Sequence, residues 1–234
     1  MVTLDSGDTE FVTVPDTVTV PEGALSTTFT ATGAALGVST ITALTSAGSV
    51  DATVNVVETL PIGLVLSEVF SNPQGPDDGL EWVEIYNGTG SPVDLADYSI
   101  GAGGADWTYT VYQLAGTIPD GGCFVVGGPI SSATNHSPVY DQAQDFNPDL
   151  PSSRNSGNGV ALFSVPAAQI TAATWPMEAV IYGPANTNGL IDETGAVGTV
   201  EAGNPTGGGS LEHTSAGWRI QAAPTPNDCS ALLP

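Results

Sequence analysis

Cations are what this sequence of 234 residues has least of. Arg154 and Arg219 are its whole basic complement, with no lysine, against 25 Asp and Glu, for a formal net charge of -23. Nucleic acid is bound chiefly by neutralising phosphates with Lys and Arg, so this surface repels it, and anionic lipid is disfavoured for the same reason. The partners such a surface attracts are cations, calcium above all, and a saline medium relieves its self-repulsion.

Other absences narrow the chemistry. No apolar run approaches the roughly 20 residues of a transmembrane helix, and VTLDSGDTE after Met1 has neither the basic nor the apolar region of a signal peptide. The two histidines, His136 and His213, lie in loop-like sequence without HExxH spacing, and neither GxSxG nor a P-loop occurs. Each histidine therefore reads as a solvated polar residue. The two cysteines, Cys123 and Cys229, are 106 positions apart with no CxxC partner, which argues against zinc and thioredoxin-type sites. In an exported protein their pairing would tie the tail PTPNDCSALLP to a core strand and contribute ~4–5 kcal/mol in the chain-entropy model. The alternative is two unpaired thiols, one buried and one on a loose tail.

What is abundant is Gly (29), Pro (18) and short apolar segments bounded by turns, with only 12% charged residues, an all-β signature. Strands are expected at 2–4, 11–14, 17–20, 27–31, 37–44 and 49–57. In the last of these, Val50, Ala52, Val54 and Val56 share one face. FVTVPDTVTVPEGALSTTFTATG followed by GVSTITALTSAGSVDATVNV is similar to the later strands of bacterial immunoglobulin-like repeats. A complete sandwich of that kind needs about 100 residues. Residues 1–58 are thus expected to form a partial immunoglobulin-like domain, in a fragment of a longer exported protein or with its missing edge supplied by another molecule. Residues 59–63 are expected as a short linker.

Residues 64–234 are expected to form the second domain, and its most telling stretch is LEWVEIYNGTGSPVDLADYSIG at 80–101. Glu81, Trp82, Val83, Ile85, Tyr86, Asn87, Pro92, Val93, Asp94, Leu95 and Tyr98 occupy the positions by which it resembles the opening of a bacterial lamin tail domain. The resemblance implies an immunoglobulin-like β-sandwich without catalytic machinery. Further strands are expected at 64–70, 107–114, 123–128, 159–165 and 179–183, with SLEHTSAGW leading into a closing PTPN. His213 stands where the family commonly has Arg, which removes a cation from any ion pair there. Residues 130–158 read as an elaborated surface loop, and DQAQDF within them as a single helical turn.

Glu68, Glu81 and Glu84 could approach one another as a glycosidase-like dyad. Alternation opposes this, because Glu81 shares a face with Val83 and Ile85 while Glu84 shares one with Trp82 and Tyr86. Calcium is the more credible chemistry, with candidate ligands Asp77, Asp78 and Glu81 at the PDDGLE turn, and a second set at Asp141, Asp145 and Asp149. Neither set has EF-hand spacing, and a solvated acidic loop is the plain alternative. Trp82, Tyr86, Trp107 and Tyr109, with Tyr98, could form an aromatic binding surface or cover the core. Asn87 and Asn135 each open an N-glycosylation pattern that is short enough to arise by chance. The expectation is a non-catalytic extracellular or cell-surface adhesion or scaffolding module, possible calcium its sole cofactor, with a protein or glycan partner and no membrane insertion. The alternatives are an accessory domain of a larger secreted hydrolase, of nuclease or phosphatase type, and a fibre subunit assembling by strand exchange.

Overall fold

The computed structural model describes the chain except residues 36, 57–62, 153–154 and 233–234, and the side chain of Asn55. The expected linker at 59–63 therefore lies outside the described residues, save Gly63. Contacts divide the chain into two units, 1–59 and 60–233.

The first unit contains β1 (Val2–Ser6), β2 (Val12–Thr13), β3 (Thr17–Val18), β4 (Thr32–Gly33), β5 (Gly37–Thr45) and β6 (Gly48–Val56). One antiparallel sheet runs β3-β1-β5-β6, and β2 pairs with β4. The strand expected at 27–31 is not formed; the chain pairs one step later, where Thr32 and Gly33 lie opposite Thr13 and Val12. Val50, Ala52 and Val54 do share a face, opposite Ala43, Ile41 and Ser39. That face is poorly covered. Leu4, Val12 and Ile41 are the buried apolar side chains described here, and Val50 is 74% exposed.

The second unit continues with β7 (Leu64–Phe70), β8 (Trp82–Asn87), β9 (Val93–Asp94), β10 (Ser99–Gly103), β11 (Thr110–Gln113), β12 (Thr117–Ile118), β13 (Cys123–Gly127), β14 (Gln142–Ala143), β15 (Asn158–Phe163), β16 (Glu178–Tyr182), β17 (Ser210–Thr214) and β18 (Gly217–Gln221). A six-stranded sheet, β14-β13-β8-β7-β17-β18, faces a four-stranded sheet, β11-β10-β15-β16. Leu64, Leu66, Val69, Val83, Ile85, Phe124, Val126 and Leu211 from the first meet Ile100, Tyr112, Val160, Leu162, Val180 and Tyr182 from the second. This is a β-sandwich, as alternation along β8 requires.

Both sheets are also buried on their outer faces. Trp107, Ala161, Phe163, Ala179, Ile181 and Leu190 form a second core behind the four-stranded sheet. Behind the six-stranded sheet, Val65 and Tyr86 pack with Cys229 and Leu232, while Phe70, Trp82 and Val125 pack with Tyr140. Every residue of β7 and β8 is consequently buried. Residues 130–158 are thus not a free surface loop: Asn135, Phe146 and Leu150 within them are buried. DQAQDF forms no helical turn either. Asp141 N–H donates to Val125 O and Gln144 N–H to Gly127 O, so the segment adds β14 in parallel to the open edge of β13. Among the described residues helical structure is confined to 3-10 turns at Ala133–Asn135, Ala167–Gln169 and Cys229–Leu232.

The last of these turns is held by a Cys123–Cys229 disulfide, with a Cα–Cα distance of 6.0 Å. It closes a loop long enough that removing it should destabilise the domain by ~4 kcal/mol in the chain-entropy account. Urea unfolding of a Cys123→Ser/Cys229→Ser double variant checks this. A midpoint equal to that of the oxidised protein would show that packing of Leu232 alone holds the tail.

Candidate functional site

The centre of the second unit is a row of buried carboxylates, and a β-bulge places it there. Between Leu66 and Glu68 the register of β7 against β8 slips, so that Leu66 faces Ile85 while Glu68 faces Glu84. Strict alternation would set Glu68 beside Leu64 and Leu66 in the central core. The bulge turns Ser67 and Glu68 outward together and returns Val69 to the core. Glu68 is also directly opposite Glu212 on β17, so Glu84, Glu68 and Glu212 run side by side across the outer face.

The C-terminal segment lies over this row and supplies its donors. Asn227 N–H donates to Glu84 Oε2 at 2.5 Å, and Ser67 Oγ to Glu84 Oε1 at 2.9 Å. Thr225 N–H lies 3.2 Å from Glu68 Oε2, and the Ser210 hydroxyl donates to Glu68 Oε1. Glu212 has a cation: Arg219 Nε donates to it at 2.6 Å, with Gln221 Nε2 at 3.0 Å on the other oxygen. Burial pushes the Glu68 carboxyl up to about 8, partly offset by Ser210 and raised further by the Glu84 charge. Burial likewise takes Glu84 to about 7, offset by Ser67 and Asn227. Each oxygen of this pair is engaged by a local donor, which suits clamping the tail rather than attack on a substrate.

On the core side, β17 stops pairing with β7 beyond Glu68, which leaves the backbone of Leu66 to side chains. Glu178 Oε2, reaching from β16, accepts from Leu66 N–H at 2.5 Å, and His213 Nδ1 meets Leu66 O at 3.0 Å. His213 also lies 3.5 Å from Glu178 Oε1 and stacks on Trp218 at 4.6 Å. It is therefore a partnered bridge between the two sheets and not a solvated residue. Burial opposes its charged form, but the Glu178 carboxylate outweighs this and raises its pKa. His136 is engaged as well, with Nε2 3.2 Å from Gly208 O and its ring edge-on to Phe70.

Most of the expected aromatic surface is interior. Trp82 and Trp107 are fully buried and Tyr86 nearly so, because both outer faces are covered. Trp82 Nε1 donates to Asn135 O and its ring stacks on Phe70, while Trp107 Nε1 donates to Ile191 O. Tyr109 is the exception at 57% exposed, and it lines a cleft of about 520 Å³ with Asp106, Thr108, Pro151, Ser152 and Asn158. The two glycosylation patterns fall on buried hubs. Asn87 Nδ2 donates to Ser91 O and Ile118 O, and Asn135 Nδ2 to Leu80 O and Ile130 O. No spacing rule marks either role, since their acceptors lie as far as 55 positions away.

The acidic residues regroup. Of the set Asp77, Asp78 and Glu81, Glu81 is buried at 2% exposure, and its Oε2 accepts from Leu150 N–H at 2.6 Å. Of the set Asp141, Asp145 and Asp149, Asp141 is drawn away to accept from Val125 N–H. Asp78 instead joins Asp145 and Asp149, with carboxylate oxygens all within 4.8 Å of one another. Gly79 N–H donates to Asp145 Oδ1 at 2.8 Å, which ties the turn before β8 to the segment after β14. Burial, followed by the Asp149, Asp77 and Asp145 charges, raises Glu81 to about 9 against the opposing Leu150 hydrogen bond. Gly127 makes room for this corner: it has φ 137°, and a Cβ there would fall 2.3 Å from Glu81 O.

The buried row sets a pH dependence. Glu68 and Glu84 have folded-state pKa values raised above the ordinary 4.5, so their stability contribution is complete below about pH 4.5. It is lost as pH rises through about 7 to 8. Wild-type stability should therefore fall between pH 5 and 8.5, and Glu68→Gln should flatten the slope by up to about 1.4 kcal/mol per pH unit. Urea titrations at several pH values read this. An unchanged slope in the variant would show that Glu68 is ionised in the folded state.

No curated protein and no solved structure matches the chain. Residues 61–196, more than half of it, match the lamin tail domain family, and the match does not reach the first unit. With its all-β sandwich and the 80–101 motif on β8, β9 and β10, the chain belongs to the lamin tail domain family, a family of non-catalytic immunoglobulin-like domains.

Proposed function

We propose that the chain is a non-catalytic module of an exported, surface-associated protein, and that it holds a glycan on a rigid platform. The observation that carries the reading is Tyr109. Of the five aromatics nominated by the sequence it alone is exposed, Tyr98 being half-buried, and it lies over a cleft lined by Asp106, Thr108, Pro151, Ser152 and Asn158. A flat aromatic face beside hydroxyl, amide and carboxylate groups suits a sugar ring, which offers an apolar face and a rim of hydroxyls. The platform is stiff because each sheet is packed on both faces and the tail is stapled by the disulfide. That disulfide also favours an oxidising location. The residues likened to bacterial immunoglobulin-like repeats, 1–58, serve in this reading as a spacer.

Screening the purified chain on an array of neutral oligosaccharides, followed by calorimetry on the hits, tests this. Tyr109→Ala should weaken binding at least tenfold with an unchanged melting temperature, since the ring is exposed. No hit, or hits insensitive to Tyr109, would overturn the reading.

A specific feature of the first unit supports a second reading, self-association. The nine-residue strand β6 ends its sheet with β5 on one side, and its apolar face includes the exposed Val50. A long, partly apolar edge of this kind is a template for an added strand. Light scattering should then show particle mass rising with concentration, and Val50→Lys should suppress the rise. Constant mass up to millimolar concentration would exclude it.

A further inference from the structure

We propose that Asn188 is a self-modifying site, whose side-chain amide is converted to an aspartyl or isoaspartyl carboxylate through a cyclic imide with Gly189, beside the cleft that Tyr109 lines. The inference is independent of the glycan reading. Three Asn-Gly pairs occur in the chain, Asn87-Gly88, Asn158-Gly159 and Asn188-Gly189. Asn is among the chemically labile residues, and a following Gly has no Cβ to hinder the approach of its backbone nitrogen to the Asn side chain. Sequence nominates all three pairs equally, and the structure separates them.

Two pairs are locked. Asn87 is fully buried, its Nδ2 donates to Ser91 O, Ile118 O and Pro119 O, and the nucleophile the reaction needs, Gly88 N–H, donates to Gly63 O at 2.9 Å. Asn158 is 2% exposed at the start of β15, where Gly159 is paired with Gly103 of β10 and Ile181 of β16. Trp107 and Leu190 crowd Gly159 so closely that a Cβ there would lie 2.7 Å from the indole ring. Closing an imide at either pair therefore requires local unfolding of the sandwich.

Asn188 is exposed, in a turn that Asn186 closes beneath it: Asn186 Nδ2 donates to Leu190 O at 2.7 Å, and its Oδ1 accepts from Leu190 N–H at 2.9 Å. Among the described residues neither the Asn188 amide nor Gly189 N–H has a hydrogen-bond partner, so both reacting groups are free. Gly189 has φ 79°, a conformation that Gly leaves and re-enters at little cost. In the reaction hydroxide takes the proton of Gly189 N, and the nitrogen attacks Asn188 Cγ. The N–Cγ bond forms, the Cγ–Nδ2 bond breaks, and ammonia leaves. Water then opens the imide at either carbonyl, which leaves a carboxylate on the side chain or reroutes the main chain through it. The new charge arises beside the cleft, because Asn188 Nδ2 lies 3.8 Å from where a Cβ would sit on Gly104, one of the cleft's lining residues. The turn thus acts as a chemical clock, adding negative charge next to Tyr109 as each molecule ages.

The experiment holds the full chain for several weeks at neutral pH and body temperature, beside a sample unfolded in urea, and maps both by peptide mass spectrometry. In the folded sample a mass gain of about 1 Da should accumulate at Asn188 roughly tenfold or more faster than at Asn87 or Asn158, which wait on local opening. In urea the three should react at similar rates, since the same dipeptide is then equally free in each. Aged wild-type protein should also resolve on anion exchange into a more acidic form, and Asn188→Gln, at an exposed position, should abolish that form. Conversion of Asn87 or Asn158 in the folded sample as fast as that of Asn188 would overturn the site. So would an Asn188 peptide that stays unchanged in the folded protein while converting in urea.

Discussion

Buried carboxylates with almost no cations to neutralise them are the constraint around which the second unit is organised. A chain with 25 acidic and two basic residues cannot pair its interior charges with Lys and Arg. Glu68, Glu81, Glu84 and Glu178 instead take backbone N–H groups, from Thr225, Leu150, Asn227 and Leu66 respectively. Arg219 serves Glu212, and His213 serves Glu178. A hydrogen bond from a fixed amide costs less desolvation than a buried ion pair, but it requires the donor segment to be delivered to the carboxyl. The C-terminal segment is delivered in this way, by the Cys123–Cys229 disulfide and by Leu232 packing against Val65 and Tyr86.

The two units differ in how far they meet the requirement for a core. In the second, alternation supplies apolar side chains to both faces of each sheet, and separate segments cover them, giving three layers of packing. In the first, the β5–β6 hairpin has a correctly patterned face but little to place on it. A sheet with one poorly covered face gains little from burial.

The fold was legible where local pattern decides it. The strand at Leu64–Phe70 and the two faces of β8 follow from hydrophobic period and turn residues. The motif of residues 80–101 points to the family by itself. The bulge at Ser67 was not legible, because an extra residue in one strand leaves the composition of the alternating run unchanged. The acidic corner was half legible: Asp78 stands out at the PDDGLE turn, whereas its association with Asp145 and Asp149 depends on how the segment after β14 returns to that turn.

Sequence alone determined the all-β class, the family of the second domain, the strongly anionic character and which side chains share a face. Only the tertiary structure decided which faces are wet. Period-two alternation states that Glu84, Trp82 and Tyr86 point the same way, but not whether something covers them. The tail some 140 residues later covers Glu84 and Tyr86, and the segment carrying Asn135 and Tyr140 covers Trp82, so Trp82 and Tyr86 became core, Glu84 became a clamp, and Tyr109 remained at the surface. Long-range burial of this kind is set by where distant segments land, a property that no local window of sequence contains.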